Sequence, residues 1–307
     1  RNTQVFVTDV NAIVRGMESL IRRSITPAID IEVRLFDDAY LVEVDPGDLE
    51  DSLLNLVINA RDAMSSGGKL IIETKNKFFD SNYAEQNPRT KAGDYLQLSV
   101  SDTGNGITPE IKERIFEPFY TTKVRGKGTG LGLSMVFGFI ERSHGYVRVY
   151  SEKEIGTSFH LYLPRSLDLE KDDQGIQMDS GELPKGNETI LIVDDEPELL
   201  EVAKEMLEAL GYQTWTASNG QEAIDCLLKV PTIELLFSDV VMPGSMNGYQ
   251  LAEKAININP NLKILLTSGY TDKVVAHDGQ ARFKTNILSK PYTETELSQQ
   301  LRSTLGS

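Results

Sequence analysis

The chain has 307 residues, 40% hydrophobic and 25% charged, which matches soluble globular proteins, excludes a disordered, collagenous or membrane-embedded one, and suits two domains better than one. Its 31 Lys and Arg face 46 Asp and Glu, a formal net charge of -15, so it would repel nucleic-acid phosphates and anionic lipid, which argues against a DNA-binding role. A single cysteine, Cys226, rules out an internal disulfide and a cysteine-built zinc site, suits a reducing compartment, and reads as a small buried apolar residue. No apolar run approaches a membrane span and no signal peptide opens the chain. It begins at Arg1 rather than Met, so a fragment of something longer is expected.

In chain order, Val10, Ile13, Val14, Met17, Leu20 and Ile21 repeat at helical spacing behind Thr8 as cap. Strands follow at 31–36 and 40–44. Asp45-Pro46 opens a second helix, Asp as cap and Pro at its first position, that runs to about Met64 and stops at Ser65-Ser66-Gly67-Gly68. Its core face is Leu49, Leu53, Leu56, Val57, Ala60 and Met64. Strands at 69–79 and 95–101, a helix begun by Thr108-Pro109, a glycine-rich stretch, a helix to Ser143 and strands at 146–151 and 158–163 complete a mixed sheet with helices on one face.

Residues 166–187 break all periodicity and are dense in Asp, Glu, Lys, Ser and Gly, as a linker would be. Beyond them, Thr189-Ile190-Leu191-Ile192-Val193 is a continuous apolar run, the mark of a buried parallel strand. A helix from Pro197 to Leu210 follows, and strands at 214–217, 235–238, 264–267 and 286–288 alternate with helical stretches, which predicts a doubly wound parallel sheet. The expected organisation is therefore α/β throughout: a domain at 1–165, a linker at 166–187 and a domain at 188–307.

Asn55 and Asn59 are neighbours on one helix face, with Asp51 a turn before and Asp62 a turn after. Asparagine is a poor interior helix residue, so the stripe is either a solvated face or a pair of amide oxygens for a hard cation such as Mg2+. Asp102-Thr103-Gly104-Asn105-Gly106 places a carboxylate at a strand end, followed by glycines that let a ligand approach the backbone. Downstream, Gly126-Lys127-Gly128-Thr129-Gly130-Leu131-Gly132-Leu133 runs into a helix whose free N–H groups would hold an anion, with Lys123, Arg125 and Lys127 nearby. The run fits neither the Walker pattern nor a dinucleotide fingerprint.

This ordered set resembles the catalytic, ATP-binding domain of two-component sensor histidine kinases, within a wider family shared with DNA gyrase, the ninety-kilodalton heat-shock chaperone and mismatch-repair ATPases. Residues 55–64 look like its N box, Asp102 to Gly106 its first glycine box, Phe116 to Phe119 its F box, Gly126 to Leu133 its second glycine box and Gly156-Thr157 its last. The resemblance implies a two-layer α/β sandwich that binds ATP. Asn55 and Asn59 would hold Mg2+ on the phosphates, Asp102 would take the adenine amino group, and 120–129 would be a lid. Asp62, Gly104, Gly106, Ile107 and Thr157 would line the nucleotide. Tyr120, Thr121, Thr122, Lys123, Gly128, Thr129, Gly130, Leu131, Gly132 and Leu133 would cover the phosphates, with Lys123 and Asn55 aiding transfer. ATP-hydrolysing members of the wider family carry Glu where this chain has Asn55, and an amide cannot take a proton from water at neutral pH. Slow hydrolysis and transfer to an outside nucleophile are expected. None of His144, His160 and His277 carries the phosphoacceptor pattern, so the acceptor hairpin is expected upstream.

In the second domain, Asp194-Asp195 follows the first buried strand and Asp239 the third, so the three carboxylates would converge beyond the strand ends and call for a cation. Thr267 and Lys290-Pro291 reach the same edge. The pattern resembles a response-regulator receiver domain, a five-stranded doubly wound fold. That resemblance makes Asp239 the phosphoacceptor, Asp194 and Asp195 the metal pair with the Val241 carbonyl, Thr267 the switch hydroxyl and Lys290 the lysine of that family. Ile287 stands where receivers often have an aromatic switch, which puts such a switch in doubt.

Together these features resemble the C-terminal part of a hybrid sensor histidine kinase using ATP and Mg2+. Its partners would be a dimerisation hairpin bearing the histidine and a downstream phosphotransfer protein or response regulator, within a homodimeric parent. Nucleic acid would not be a partner. The fragment would be cytoplasmic and unable to autophosphorylate, with room for a membrane anchor in the parent. The competing reading is a non-catalytic nucleotide-binding regulatory module whose receiver is phosphorylated by another protein.

Overall fold

The computed structural model describes residues 4–87, 89–122, 129–167, 183–242, 246–269 and 286–306. The chain divides into two compact units, residues 1–174 and 175–307. Most of the expected linker lies outside the described residues, as do Lys123, Arg125, Lys127, Gly128, Pro243 and His277.

The first unit opens with β1 (Phe6–Thr8) and α1 (Val10–Ser24). Asp9, not Thr8, caps α1: its carboxylate accepts the Ala12 N–H at 3.2 Å, and a charged acceptor at the positive helix end outcompetes a hydroxyl one residue further out. The Thr8 hydroxyl instead donates to the Phe6 carbonyl at 2.8 Å. Val10, Val14, Met17 and Ile21 are buried, whereas Leu20, at the border of the apolar stripe, is 48% exposed.

Next come β2 (Ile29–Arg34), β3 (Val42–Val44) and α2 (Pro46–Ala63). Asp45 caps α2 through the N–H groups of Gly47 and Asp48, and the expected leucine face is buried throughout. Then follow β4 (Gly68–Phe79), α3 (Ser81–Gln86), β5 (Gly93–Asp102), α4 (Pro109–Lys112), α5 (Gly132–Arg142), β6 (Tyr146–Glu152) and β7 (Gly156–Pro164). Thr108 precedes α4 but makes no side-chain capping bond.

One mixed sheet runs β2-β4-β5-β7-β6, with β2 and β4 parallel and the remaining pairs antiparallel. Strand side chains alternate between faces. Leu70, Ile72, Leu98, Val100, Phe159 and Leu161 pack with α1, α2 and α5 in one core. The other face buries Ser99, Ser101, Ser158 and His160 and ends in a cluster of Phe79, Tyr83, Tyr95, Tyr146 and Tyr162. Helices on one face and this sheet make the two-layer sandwich. A short sheet joins β1 to β3, and β3 is bridged to the segment leaving β7: Val42 pairs with Arg165, and the Ser166 N–H donates to the Leu41 carbonyl at 2.7 Å.

The second unit contains β8 (Thr189–Val193), α6 (Pro197–Ala209), β9 (Gln213–Ala217), α7 (Gly220–Lys229), β10 (Leu235–Asp239), α8 (Gly248–Ile258), β11 (Lys263–Ser268), β12 (Ile287–Ser289) and α9 (Glu294–Leu305). Its strands are all parallel, in the order β12-β11-β10-β8-β9. Ile190 and Ile192 face α6 and α9, while Leu191 and Val193 face α7 and α8; burial on both faces is why these strands read as unbroken apolar runs. The order reverses between β8 and β10, and the crevice beyond their carboxyl ends is where such sheets bind ligands. No helix among the described residues is long and apolar enough to cross a membrane.

Candidate functional site

In the first unit, β5 delivers Asp102 to the edge of the sheet with only 4% exposure. Burial pushes its carboxyl up to about 7, opposed by the N–H groups of Gly104 and Thr157; the Gly104 bond is 2.8 Å long. A carboxylate held dry with acceptor capacity left is suited to a ligand that brings donors. The turn after it is closed against two neighbours. The Asn105 N–H donates to the Ala63 carbonyl at 3.1 Å and the Glu154 N–H to the Asn105 carbonyl at 2.8 Å. A Cβ on Gly106 would fall 1.8 Å from the Glu152 carbonyl oxygen, and one on Gly156 would fall 2.0 Å from that of Asp102, so only glycine fits at either place.

Asn55 on α2 faces the start of α5, where a Cβ on Gly132 would lie 3.2 Å from its Oδ1. Leu131 at the head of α5 makes no side-chain capping bond, and a helix N-terminus without a side-chain cap is suited to an anion. Asn59 follows one turn after Asn55 on the same helix, and the Asp62 carboxylate is held by Arg61 at 2.6 Å. The expected lid is closed at its base. The Phe119 N–H donates to the Gly130 carbonyl at 2.9 Å, and a Cβ on Gly130 would meet the Phe119 carbonyl carbon at 2.4 Å. Phe119 itself has φ +67, a strained conformation for an aromatic residue, and is 74% exposed. The Arg114 guanidinium lies 4.4 Å from the Tyr120 ring centroid and the Leu131 N–H reaches the Thr129 hydroxyl at 3.4 Å. Thr121, Thr122 and Leu133 lie on the described flanks of this segment. Sequence reasoning passed over Ser151, whose hydroxyl accepts the Ile107 N–H at 2.9 Å; it placed Phe119 in the F box, but the positive φ of Phe119 leaves no trace in residue type.

In the second unit the carboxylates of Asp194, Asp195 and Asp239 come within 4.8 Å of one another. Lys290 Nζ sits between two of them, 2.8 Å from Asp194 Oδ2 and 2.6 Å from Asp239 Oδ2. Burial works against its charge, but Asp239 and Asp194 outweigh it and hold the ammonium well above its ordinary value. Burial and then Asp194 push the Asp195 carboxyl up to about 6. Three carboxylates against one ammonium leave an excess that one divalent cation would neutralise. The Val241 N–H donates to Asp239 Oδ1 at 3.1 Å, and the Glu196 N–H to Asp194 Oδ1 at 2.9 Å. Thr267 is 2% exposed at the end of β11, opposite Asp239 in register, and its hydroxyl has no hydrogen-bond partner among the described residues. An orphaned hydroxyl beside a lysine-bound carboxylate fits a site that takes up a further group of oxygens. Ile287 packs at the border of the α7/α8 core.

Residues 44–167 match the family described as histidine kinase-, DNA gyrase B- and HSP90-like ATPases, and residues 190–302 match the response regulator receiver domain. The chain thus joins a histidine kinase-type ATPase domain to a response regulator receiver domain of two-component systems. It is 33% identical to the sensor kinase CckA of Brucella abortus over 97% of its own length, and 28% identical to the sensor protein EvgS of Escherichia coli K12 over 86%. It spans 32% of the first relative and 22% of the second. A solved catalytic domain of the histidine kinase ThkA aligns at 28% identity, covering 53% of this chain and 98% of that one, with a TM-score of 0.41.

Proposed function

We propose that the first unit binds Mg-ATP and passes the γ-phosphoryl group to a histidine on a helical hairpin in another segment, and that Asp239 of the receiver then accepts it. The observation that carries this reading is the buried Asp194–Lys290–Asp239 cluster beside the Thr267 hydroxyl, which has no partner among the described residues. Such a constellation suits a phosphoryl group on Asp239: Lys290 and the Val241 N–H stand ready for its charge, and Thr267 offers the donor still without a partner. Asp194, Asp195 and Asp239 would hold Mg2+, with the Val241 carbonyl as a further oxygen; the metal supplies charge neutralisation.

In the first unit Asp102 would bind and orient the adenine, while Asn55 and Asn59 would hold Mg2+ on the phosphates. The open N-terminus of α5 would receive the triphosphate. Asn55 offers an amide where a general base would be needed to activate water, so transfer outruns hydrolysis. Chemistry of this kind belongs in the cytoplasm, with a downstream phosphotransfer protein or response regulator next in line.

The experiment supplies labelled ATP and a histidine-bearing hairpin in trans to the native chain, Asn59→Ala and Asp239→Asn. Label on the hairpin with native protein only slowly with Asn59→Ala, and onward transfer to the native receiver but not to Asp239→Asn, is expected. A hairpin labelled equally well by Asn59→Ala refutes the kinase assignment, and label that reaches the Asp239→Asn receiver refutes the acceptor.

A further inference from the structure

Three chain segments meet at Ser151 of β6. Its Oγ accepts the Ile107 N–H at 2.9 Å, donates to the Gly156 carbonyl at 3.0 Å and lies 2.8 Å from Thr157 Oγ1. A serine hydroxyl has one proton and two lone pairs. With the proton given to Gly156 and one lone pair taken by Ile107, only a lone pair remains for Thr157, so Thr157 is the donor in the hydroxyl pair. Its single proton is thereby engaged and its oxygen keeps lone pairs alone.

Thr157 is 5% exposed and stands opposite Asp102 in the β5–β7 register, its own N–H held by the Asp102 carboxylate. The backbone on either side is pinned by the Glu154 bond to Asn105 and by the glycine contacts at Gly106 and Gly156, so the two hydroxyl oxygens are held within hydrogen-bond distance of each other. Once Asp102, raised to about 7, is ionised, the side chains at this rim therefore carry acceptors: a carboxylate and a hydroxyl oxygen.

We propose that Ser151 is a positioning residue that fixes the polarity of the Thr157 hydroxyl, making the pocket select a purine nucleotide with an exocyclic amino donor over one with a carbonyl oxygen at that position. The inference rests on the nucleotide-binding reading above. Freed from Ser151, the Thr157 hydroxyl can turn and donate, which would accommodate the carbonyl of guanine.

Calorimetric titration of the full chain with ATP and with GTP tests it, in native protein, Ser151→Ala, Ser151→Thr and Thr157→Val. Ser151→Ala should lower the preference for ATP about tenfold, through weaker ATP and tighter GTP binding. Ser151→Thr, which restores a hydroxyl, should keep the native preference. Thr157→Val, which leaves Ser151 bonded to Ile107 and Gly156, should also lower it, and settles the matter if Ser151→Ala does not fold. A native preference in Ser151→Ala or in Thr157→Val overturns the proposal, as does an equal loss of both nucleotides in Ser151→Ala. Native protein that binds neither nucleotide overturns the nucleotide-binding reading itself.

Discussion

Lys290→Met keeps the length of the side chain and removes the charge between Asp194 and Asp239. Those carboxylates and that of Asp195 lie within 4.8 Å of one another, and at an effective dielectric of about 20 two unit charges about that far apart repel by roughly 3.5 kcal/mol. Breaking a buried ion pair by removing one partner costs about the same, roughly 3–5 kcal/mol. The lysine is 8% exposed, so water screens little of this. With metal chelated near neutral pH, the variant should unfold at a urea concentration lower by roughly 1–3 M. The reporter is Trp215, the one tryptophan of the chain, on β9 of the same unit. Millimolar Mg2+ should recover most of the loss by taking over the role of the ammonium. Lower pH should recover part of it, because Asp195, raised to about 6, binds its proton more tightly folded than unfolded and so favours folding as pH falls through that value. An unchanged midpoint without metal, or no response to Mg2+, would refute the electrostatic account of the cluster.

Three other outcomes follow from the geometry. His160, its pKa lowered to about 3 by burial, must bind its proton in the unfolded chain first; the native protein should lose about 2 kcal/mol relative to His160→Gln between pH 7.5 and 5, and a flat difference in urea unfolding would contradict a neutral buried ring. ATP affinity should rise about tenfold from pH 6 to 8 as Asp102 ionises through about 7, and Asp102→Asn should flatten the profile measured by calorimetry. Gly248→Ala puts a Cβ 2.1 Å from the Asp239 carbonyl oxygen; it should cost about 1–3 kcal/mol and slow phosphorylation of Asp239 by a small-molecule phosphodonor, with native-like rates counting against the packing argument.

The receiver fold was legible almost strand by strand, because parallel strands buried on both faces announce themselves as apolar runs, and the residues at their carboxyl ends are the ones the structure brings together as a candidate site. Asp194 and Asp239 were readable as the residues just past predicted strands, Thr267 as the last residue of one and Lys290 as two residues beyond another. The first unit was legible where local chemistry decides: Asp45-Pro46 began its helix as written, and the leucine face of α2 is the core. It was less legible where competition decides. Asp9 displaced Thr8 as cap, and β1 was invisible because a three-residue strand earns its place only by pairing with β3. Ser151 could not be singled out, since its importance comes from Ile107, Gly156 and Thr157, two of which the chain brings close only through the hairpin.

The pairing of β3 with both β1 and the Arg165–Ser166 segment has a consequence for modularity. In the β5–β7 register Pro164 stands at Tyr95 while Thr157 stands at Asp102, so the chain leaves the sheet at the rim opposite the Asp102 rim, roughly 20 Å away along the strands. Because the arriving and departing strands share one neighbour, the ATP-binding unit is nearly a closed loop of polypeptide. Splicing it between other segments, or exchanging it for a homologous unit, would place both seams on one side and leave the Asp102 rim untouched.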